Sequence, residues 1–406
     1  PDALAAAAGS IRGGGLLVLL TPALADWPGA PDAALDRLIP AGRGRGEAGA
    51  RFVERLIGCL RSAPGIERYG PDDAPPSLVP GPPAAAGPEH GYGCRSADQR
   101  NAVEAVVGVV TGHRRRPAVL SADRGRGKSA ALGIAAGELL RRGRVRRVSV
   151  TAPSLTAAEP VLEHAAAYAA GTFADRRTVR IGAGELAFRE PEAVLERAGA
   201  DELVLVDEAA GLPVALLTAL LRGAPRIAFA TTVHGYEGTG RGFDLRFRAV
   251  LDAETPQWRA VRLDTPIRWA PGDPLEAWLA RALLLDADPG EPDPPGPDDA
   301  LRVEALDRDA LAADEPRLRQ LFGLLVSAHY RTRPLDLRQL LDAPGIHLLG
   351  AVCGGECLGV ALAAEEGGLD AETARQVWAG RRRPQGHLLP QMLATHAGLE
   401  AAPRQR

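Results

Sequence analysis

The segment from Ala118 to Gly133 places an apolar run, a glycine-rich turn and a helix-forming stretch in direct succession. Its core, Ala122-Asp-Arg-Gly-Arg-Gly-Lys-Ser129, matches the phosphate-binding loop pattern except that Ala stands in place of the first glycine. In such a loop, backbone N–H groups from Gly125 to Ser129 point at phosphates, and the dipole of the following helix adds attraction. Lys128 then reaches the terminal phosphates and Ser129 binds Mg²⁺. The pattern predicts a site for ATP and Mg²⁺.

Lys128 is the only lysine in the 406 residues, and the other basic residues are nearly all arginine. A guanidinium is too broad and planar for the crevice of a phosphate loop, which explains why lysine is kept here. The alternative is compositional drift in an Arg-, Gly- and Ala-rich chain. Arg43-Gly-Arg-Gly46 shows such drift, but it has no lysine, no preceding strand pattern and no following helix pattern.

A second motif, which is acidic, supports the assignment of the phosphate loop. Leu203 to Val206 form an apolar strand pattern that ends in Asp207-Glu208, the form of a Walker B motif. We expect Asp207 to hold Mg²⁺ and Glu208 to orient the attacking water. Alone, an acidic pair after a strand is equally typical of a helix cap. The phosphate loop upstream favours the catalytic interpretation.

Two further sequence features near the loop are candidates for ligand binding. Gln99 lies on a helix that Ser96 is expected to cap, just ahead of the loop's strand, and its amide suits either an adenine edge or solvent. Phe229 to Phe243 is a strand pattern followed by a glycine-rich polar loop, which we place at the carboxyl edge of the sheet, where ligands bind. An ordinary glycine loop is the alternative.

The order of patterns divides the chain into four parts. Residues 1–88 predict a partial α/β domain with a strand at Gly15–Leu20 and a helix around Glu47–Arg61. In residues 89–285, apolar runs alternate with helical patterns, as in a parallel sheet covered by helices. Residues 286–316 are predicted to be an acidic, proline-rich linker, and residues 317–406 another α/β unit.

Bulk properties narrow the function classes. The formal net charge of −3 argues against a wholly basic nucleic-acid-binding surface. The sequence has four cysteines and neither a signal peptide nor a bilayer-spanning apolar run, so we expect a cytoplasmic protein. Cys353 and Cys357 lack a second ligand pair at zinc spacing, so no structural metal is expected. His329 and His347 are given no role.

Two basic runs leave alternatives open. Arg141 to Arg147 and Arg381 to Arg383 are equally compatible with phosphate contacts and with a solvated face, because no aromatic residues are interleaved with them.

Taken together, several strings resemble the bacterial and archaeal tRNA(Met) cytidine acetyltransferases. The resemblance extends from about Gly13 to about Ala402 and is more specific than the phosphate loop alone. Besides the loop and Val206-Asp-Glu-Ala-Ala210, its strings are Thr231-Thr-Val-His-Gly-Tyr-Glu-Gly-Thr-Gly-Arg-Gly-Phe243, Pro266-Ile-Arg-Trp269, His329-Tyr-Arg-Thr-Arg-Pro-Leu-Asp-Leu337 and Trp378-Ala-Gly-Arg-Arg-Arg-Pro-Gln-Gly-His387.

The resemblance implies an α/β fold in which a RecA-like, helicase-like P-loop ATPase follows an N-terminal domain and precedes a GNAT acetyltransferase domain. It implies ATP-supported transfer of acetyl from acetyl-CoA to N4 of the wobble cytidine of elongator tRNA(Met). It also implies ATP contacts, which fall on Gln99, Gly125, Arg126, Gly127, Lys128, Ser129, Ala130, Ala131, Leu132, Gly133, Ile134 and Arg268.

The resemblance further implies an acetyl-CoA pyrophosphate loop beyond Arg406, so we expect residues 317–406 to supply only the start of the GNAT domain. Because the chain opens at Pro1 and its only methionine is Met392, we expect the amino end to be incomplete as well. Two other functions remain open. One is an RNA-dependent ATPase or remodelling module without transferase activity. The other is a nucleotide-gated RNA-binding scaffold, against which the intact Asp207-Glu208 pair argues.

Overall fold

The computed structural model describes residues 1–74, 90–197, 202–233, 240–290, 296, 299–328 and 333–405, with only the backbone of 240–245. Residues 1–74 contain the helices α1 (Asp2–Ser10) and α2 (Arg51–Ser62), with short 3₁₀ turns between them. Apolar residues of α2, including Phe52, Leu56 and Leu60, are buried, so this helix packs with one face toward a core. The predicted helix is therefore confirmed, although it begins at Arg51.

The strand predicted at Gly15–Leu20 is wrong: this stretch is irregular, and residues 1–74 as described contain no strand. Val18 is 67% exposed and Leu20 is 90% exposed, and although Leu17 packs against a core, the run as a whole is not buried. A strand needs a neighbour to pair its backbone N–H and C=O groups, and hydrophobicity alone does not supply one.

The central module is built on an eight-stranded sheet with the spatial order β3-β4-β5-β2-β6-β7-β1-β8. Five neighbouring pairs, from β5 to β8, are parallel, while β3 and β4 extend the sheet in antiparallel fashion. The strands are β1 (Ala118–Ala122), β2 (Arg147–Thr151), β3 (Thr172–Asp175), β4 (Thr178–Ile181), β5 (Gly184–Phe188), β6 (Leu203–Val206), β7 (Ile227–Thr232) and β8 (Arg259–Leu263).

Helices cover both faces of this sheet, which explains why β6 is apolar at every position. The helices of the module are α3 (Ala97–Thr111), α4 (Lys128–Arg141), α5 (Leu155–Ala169), α6 (Pro191–Glu196), α7 (Val214–Gly223), α8 (Gly240–Glu254) and α9 (Pro274–Leu283). Residues of α3, α4 and α5 share one core with the sheet, and residues of α7 and α8 share the core on its other face. As predicted, Ser96 caps α3 by accepting a hydrogen bond from the Gln99 N–H.

The predicted α/β fold with a RecA-like P-loop core is confirmed. β7 separates β1, which leads into the phosphate loop, from β6, which leads into the acidic pair. Because β1, β7 and β6 are parallel, their carboxyl ends meet at one edge of the sheet.

The remaining residues build a smaller antiparallel sheet with the order β11-β10-β9, together with five helices among the described residues. Its elements are β9 (Arg302–Ala305), α10 (Arg308–Ala313), α11 (Glu315–Ala328), α12 (Pro334–Asp342), β10 (Ile346–Cys353), β11 (Glu356–Ala364), α13 (Ala371–Trp378) and α14 (Leu388–Ala397). β9 and α10 lie within the segment 286–316 assigned to the linker from sequence, and β9 pairs with β10.

The N-terminal helices, α9 and the elements from α10 to β10 share one hydrophobic core, whereas residues of α13 and α14 form a small separate cluster. Buried Arg55 of α2 joins all three segments: its guanidinium donates to the carbonyl oxygens of Arg281 and Ala282 at 2.7 Å each, and to both carboxylate oxygens of Glu315, at 2.7 and 2.6 Å. Each of the three guanidinium nitrogens thus donates a hydrogen bond to the end of α9 or the start of α11. Among the described residues, no helix is both long and apolar enough to span a membrane.

Candidate nucleotide site

The phosphate loop joins β1 to α4, as the sequence predicts. Gly125 and Gly127 adopt φ values of 79° and 84°, a region that favours glycine. A Cβ on Gly127 would lie 2.6 Å from Nε2 of Gln99 and 2.8 Å from Cδ1 of Ile267. Neighbouring side chains therefore press on the loop, and only glycine fits at position 127.

Lys128 begins α4 and is buried. Its Nζ lies 3.3 Å from the carbonyl oxygens of both Ala122 and Asp123, so two backbone acceptors hold the ammonium at the end of β1. Burial lowers the pKa of Lys128, while the carboxylates of Glu208 and Asp207 oppose that change. A cation in this position has a strong electrostatic reason to bind an anion.

Asp207 follows β6 and is fully buried. Its Oδ1 accepts a hydrogen bond from the Glu208 N–H at 3.0 Å, whereas Oδ2 makes none within the described part of the chain. Burial raises the pKa of Asp207 to about 7 and the Glu208 charge adds to the rise, while the Ser129 hydroxyl and Lys128 oppose it. The structure thus brings together Lys128, Ser129, Asp207 and Glu208.

Glu208 has a left-handed backbone conformation, with φ 45° and ψ 47°, which is uncommon for a residue with a side chain. Its carboxylate is held by the hydroxyl of Thr232, which lies 2.9 Å from Oε2 and 3.2 Å from Oε1. Thr232 is the last residue of β7, so this contact follows from the strand order.

Residues of α9 and of the segment just before it also contact the phosphate loop. Glu276 binds Arg126 through Oε1 and accepts a hydrogen bond from the Trp269 indole at 2.7 Å through Oε2. The carbonyl oxygen of Gly125 accepts hydrogen bonds from the N–H groups of Ile267, at 2.9 Å, and Arg268, at 3.1 Å. The segment before α9 therefore holds the loop by main-chain contacts, and Glu276 of α9 holds it by a side-chain contact.

Comparisons with known proteins point in one direction. The family described as RNA cytidine acetyltransferase NAT10/TcmA, helicase domain, matches residues 119–286. The family described as tRNA(Met) cytidine acetyltransferase TmcA, N-terminal, matches residues 1–70. A tRNA(Met) cytidine acetyltransferase TmcA of Nitrosococcus halophilus is 50% identical over 411 residues, covering 99% of this chain and 55% of the relative. The chain belongs to the tRNA(Met) cytidine acetyltransferase family.

The chain spans about half the length of the curated family members it matches. A second example, from Haloferax volcanii, is 41% identical over 99% of this chain and 56% of its own length. Among solved structures, the large terminase from a thermophilic bacteriophage has a TM-score of 0.36 and 12% identity, covering 52% of this chain and 61% of that chain.

Gln99, which the resemblance to the acetyltransferase family assigns to ATP, is buried against the loop. Its Oε1 accepts a hydrogen bond from the Arg95 N–H at 2.9 Å, and its Nε2 donates to the Gly127 carbonyl at 3.4 Å. Both ends of the amide thus contact backbone, and Gln99 connects α3 to the loop.

The other family positions are arranged around the loop in two ways. Lys128, Ser129 and Ala130 open α4, where the first N–H groups of a helix have no carbonyl four residues back within it. The remaining α4 positions are buried, and Gly133 packs closely against α5. These positions are Ala131, Leu132, Gly133 and Ile134.

Arg268 donates to the Gly9 carbonyl oxygen at the end of α1, so an N-terminal helix touches this arginine.

Some family strings lie partly outside the described residues: the loop positions 234–239 and the residues 329–332, which include His329. Among the residues that are described, no cluster of His, Cys, Asp and Glu is suited to a metal ion. Cys353 and Cys357 are buried free thiols.

Sequence reasoning missed Thr232 and Glu276 as parts of this site. The polar pair Thr231-Thr232, which ends β7 after its apolar run, was the available signal for Thr232, but the sequence does not show which of the two faces Glu208. For Glu276 no local pattern existed, because its partners Arg126 and Trp269 come from other segments.

Proposed function

We propose that this chain is the ATP-binding and ATP-hydrolysing portion of an enzyme that acetylates N4 of the wobble cytidine of elongator tRNA(Met), with acetyl-CoA as donor. The observation that carries the ATPase part is the meeting of Lys128, Ser129, Asp207 and Glu208 at one edge of the sheet. The names of the relatives support the acetyl transfer and its RNA substrate.

The residues present fit Mg²⁺·ATP. Gly125 and Gly127 leave the loop backbone free of side chains, and Lys128 provides a buried cation. The buried Oδ2 of Asp207, which makes no hydrogen bond to a described residue, is a suitable oxygen next to Ser129 for the Mg²⁺ shell. When bound, Mg²⁺ neutralises phosphate charge and favours cleavage of the terminal phosphoanhydride.

The chain's own groups divide the remaining work. Lys128 and the N–H groups at the start of α4 bind phosphate oxygens. Glu208 orients the attacking water, since its negative charge acts on Asp207 and its carboxylate is held by Thr232. Arg268 supplies a guanidinium for the terminal phosphate, and Gln99 supports the loop close to the adenine side.

The proposal extends to the other parts of the chain. We assign residues 1–88 to the N-terminal domain, 89–285 to the ATPase domain, 286–316 to a connection that includes β9 and α10, and 317–406 to the start of a GNAT acetyltransferase domain. Because the proposed substrate is a tRNA, we expect the enzyme to act in the cytoplasm.

The test incubates the natural protein that carries this chain with ATP, Mg²⁺, acetyl-CoA and tRNA(Met). Phosphate release measures hydrolysis, and mass spectrometry of the digested tRNA measures N4-acetylcytidine. We expect both products from the wild type and neither from Lys128→Ala. A protein that releases phosphate in the presence of RNA but leaves the cytidine unmodified would instead be an RNA-dependent ATPase.

A further inference from the structure

Thr232 occupies a junction between the two halves of the nucleotide site. In the parallel pairing of β7 with β1, Thr232 lies opposite Ala122, the last residue before the phosphate loop. The N–H of Val233 donates to the Ala122 carbonyl at 3.1 Å, and the same carbonyl accepts from Lys128 at 3.3 Å. The backbone of Thr232 is therefore tied to the strand that carries the loop.

The side chain of Thr232 reaches the other half of the site. Its hydroxyl lies 2.9 and 3.2 Å from the two carboxylate oxygens of Glu208. In the described part of the chain, no second side-chain hydrogen bond to the Glu208 carboxylate is found. A glutamate has three rotatable side-chain bonds, so this one hydroxyl does much to select its conformer.

The backbone of Glu208 makes such support necessary. Its left-handed conformation, with φ at 45°, is one that residues with side chains seldom adopt and that persists where surrounding contacts impose it. The Glu208 carbonyl accepts from the Gly211 N–H at 2.8 Å, which fixes the turn but not the carboxylate.

We propose that Thr232 is the positioning residue for Glu208 in ATP hydrolysis: its hydroxyl sets the carboxylate against the phosphate-loop strand. This inference rests on the proposed ATPase function and adds a residue to it. Thr232 acts through Glu208 and does not itself touch the nucleotide. Removing the hydroxyl should leave phosphate binding intact and let the carboxylate move away from the attacking water.

The neighbouring Thr231 offers a matched control. Its side chain is buried, and its Oγ1 has no hydrogen-bond partner among the residues the structure describes. Thr231→Val therefore makes the same chemical change one residue earlier in β7 without removing a contact, and its hydrolysis rate should equal that of the wild type.

The experiment compares wild type, Thr232→Val, Thr232→Ser and Thr231→Val for ATP affinity by calorimetry and for kcat by phosphate release, with and without tRNA. Removal of a supporting hydrogen-bond partner costs about 10- to 100-fold in activity. We expect that loss in kcat for Thr232→Val with ATP affinity unchanged within about twofold, and recovery in Thr232→Ser, which retains the hydroxyl.

A double variant tests whether the effect passes through Glu208. In the Glu208→Gln background, Thr232→Val should produce little further loss. An unchanged kcat in Thr232→Val, an equal loss in Thr231→Val, or a full additional loss in the Glu208→Gln background would each overturn the positioning role. Absence of ATP hydrolysis in the wild type under all conditions would overturn the proposed function itself, and the positioning role with it.

Discussion

Nζ of Lys128 lies 3.3 Å from the carbonyl oxygen of Ala122, the residue at which β1 ends and the phosphate loop begins. The ammonium thus stands among backbone acceptors and is largely removed from water, as its lowered pKa reflects. Burial removes the water that would stabilise the Lys128 charge, and bound phosphate oxygens would stabilise that charge instead.

Lys128→Ala should lower ATP affinity by about 100-fold, because one buried positive charge is removed from a site for a polyanion. Its thermal stability without nucleotide should not fall, since a poorly solvated charge is lost with the side chain. Calorimetric titration and thermal unfolding measure the two effects. Arg144→Ala, an exposed cation beyond the end of α4, is the control and should bind ATP normally. Equal affinity in Lys128→Ala and wild type would contradict the assignment.

Glu208→Gln should bind ATP as the wild type does but hydrolyse it at least about 100-fold more slowly. The amide keeps the size of the side chain and a hydrogen bond with Thr232, but it lacks the carboxylate charge that orients and polarises water. Single-turnover phosphate release and an equilibrium titration separate the two quantities. Hydrolysis at the wild-type rate would exclude Glu208 from the mechanism.

Glu276→Ala should weaken ATP binding several-fold and lower the free energy of unfolding by about 1 to 3 kcal/mol. The substitution removes the acceptor shared by Arg126 and Trp269, and it leaves the buried Arg126 guanidinium without its carboxylate. Denaturant unfolding and nucleotide titration provide the measurements. Glu163→Ala, on the exposed side of α5, is the matched control. Similar losses in both variants would show that the contacts of Glu276 with Arg126 and Trp269 have no special role.

Asp342 should make stability depend on pH in an unusual direction. Burial raises its pKa to about 6, and the hydrogen bond from the Phe52 N–H and the positive charges of Arg338 and Arg51 oppose that rise only in part. The folded state therefore holds this proton more tightly than the unfolded state, and its contribution to stability is lost as pH rises from about 4 to about 6.

Asp342→Asn keeps an acceptor for the Phe52 N–H, which lies 3.1 Å from Oδ1, and has no charge to bury. The stability of wild type minus that of the variant should therefore fall by about 2 to 3 kcal/mol between pH 4 and pH 7. Urea unfolding of both proteins at the two pH values measures this difference. A difference that is independent of pH would show that Asp342 is ionised throughout this range.

The parts of the fold that were predictable are those with local signals. Leu203–Val206 is apolar throughout and ends in an acidic pair, and Gly127-Lys128-Ser129 opens a helix directly after a strand. β9 was missed because its four residues are all exposed and lie near an acidic, proline-rich stretch. The reverse error at Gly15–Leu20 arose because an apolar run does not show whether a pairing partner exists.

The contact between Thr232 and Glu208 joins residues 24 positions apart and depends on β7 lying beside β6 and β1. Sequence periodicity indicates that strands exist but not in which order they pair. Likewise, tertiary packing places Arg268 beside the end of α1. Arg268 and its hydrogen-bond partner Gly9 are 259 positions apart in the sequence.

The guanidinium of Arg55 sets a limit on how this polypeptide can be dissected. A version that stops at residue 290, at the point where composition suggests a natural cut, would keep Arg55 and the carbonyls of Arg281 and Ala282 but lose both oxygens of Glu315. The buried charge of Arg55 would then lack its carboxylate partner, and the surrounding core would lack α11. Such a shortened chain would be expected to aggregate, whereas one that extends through the elements around Glu315 would retain the ion pair.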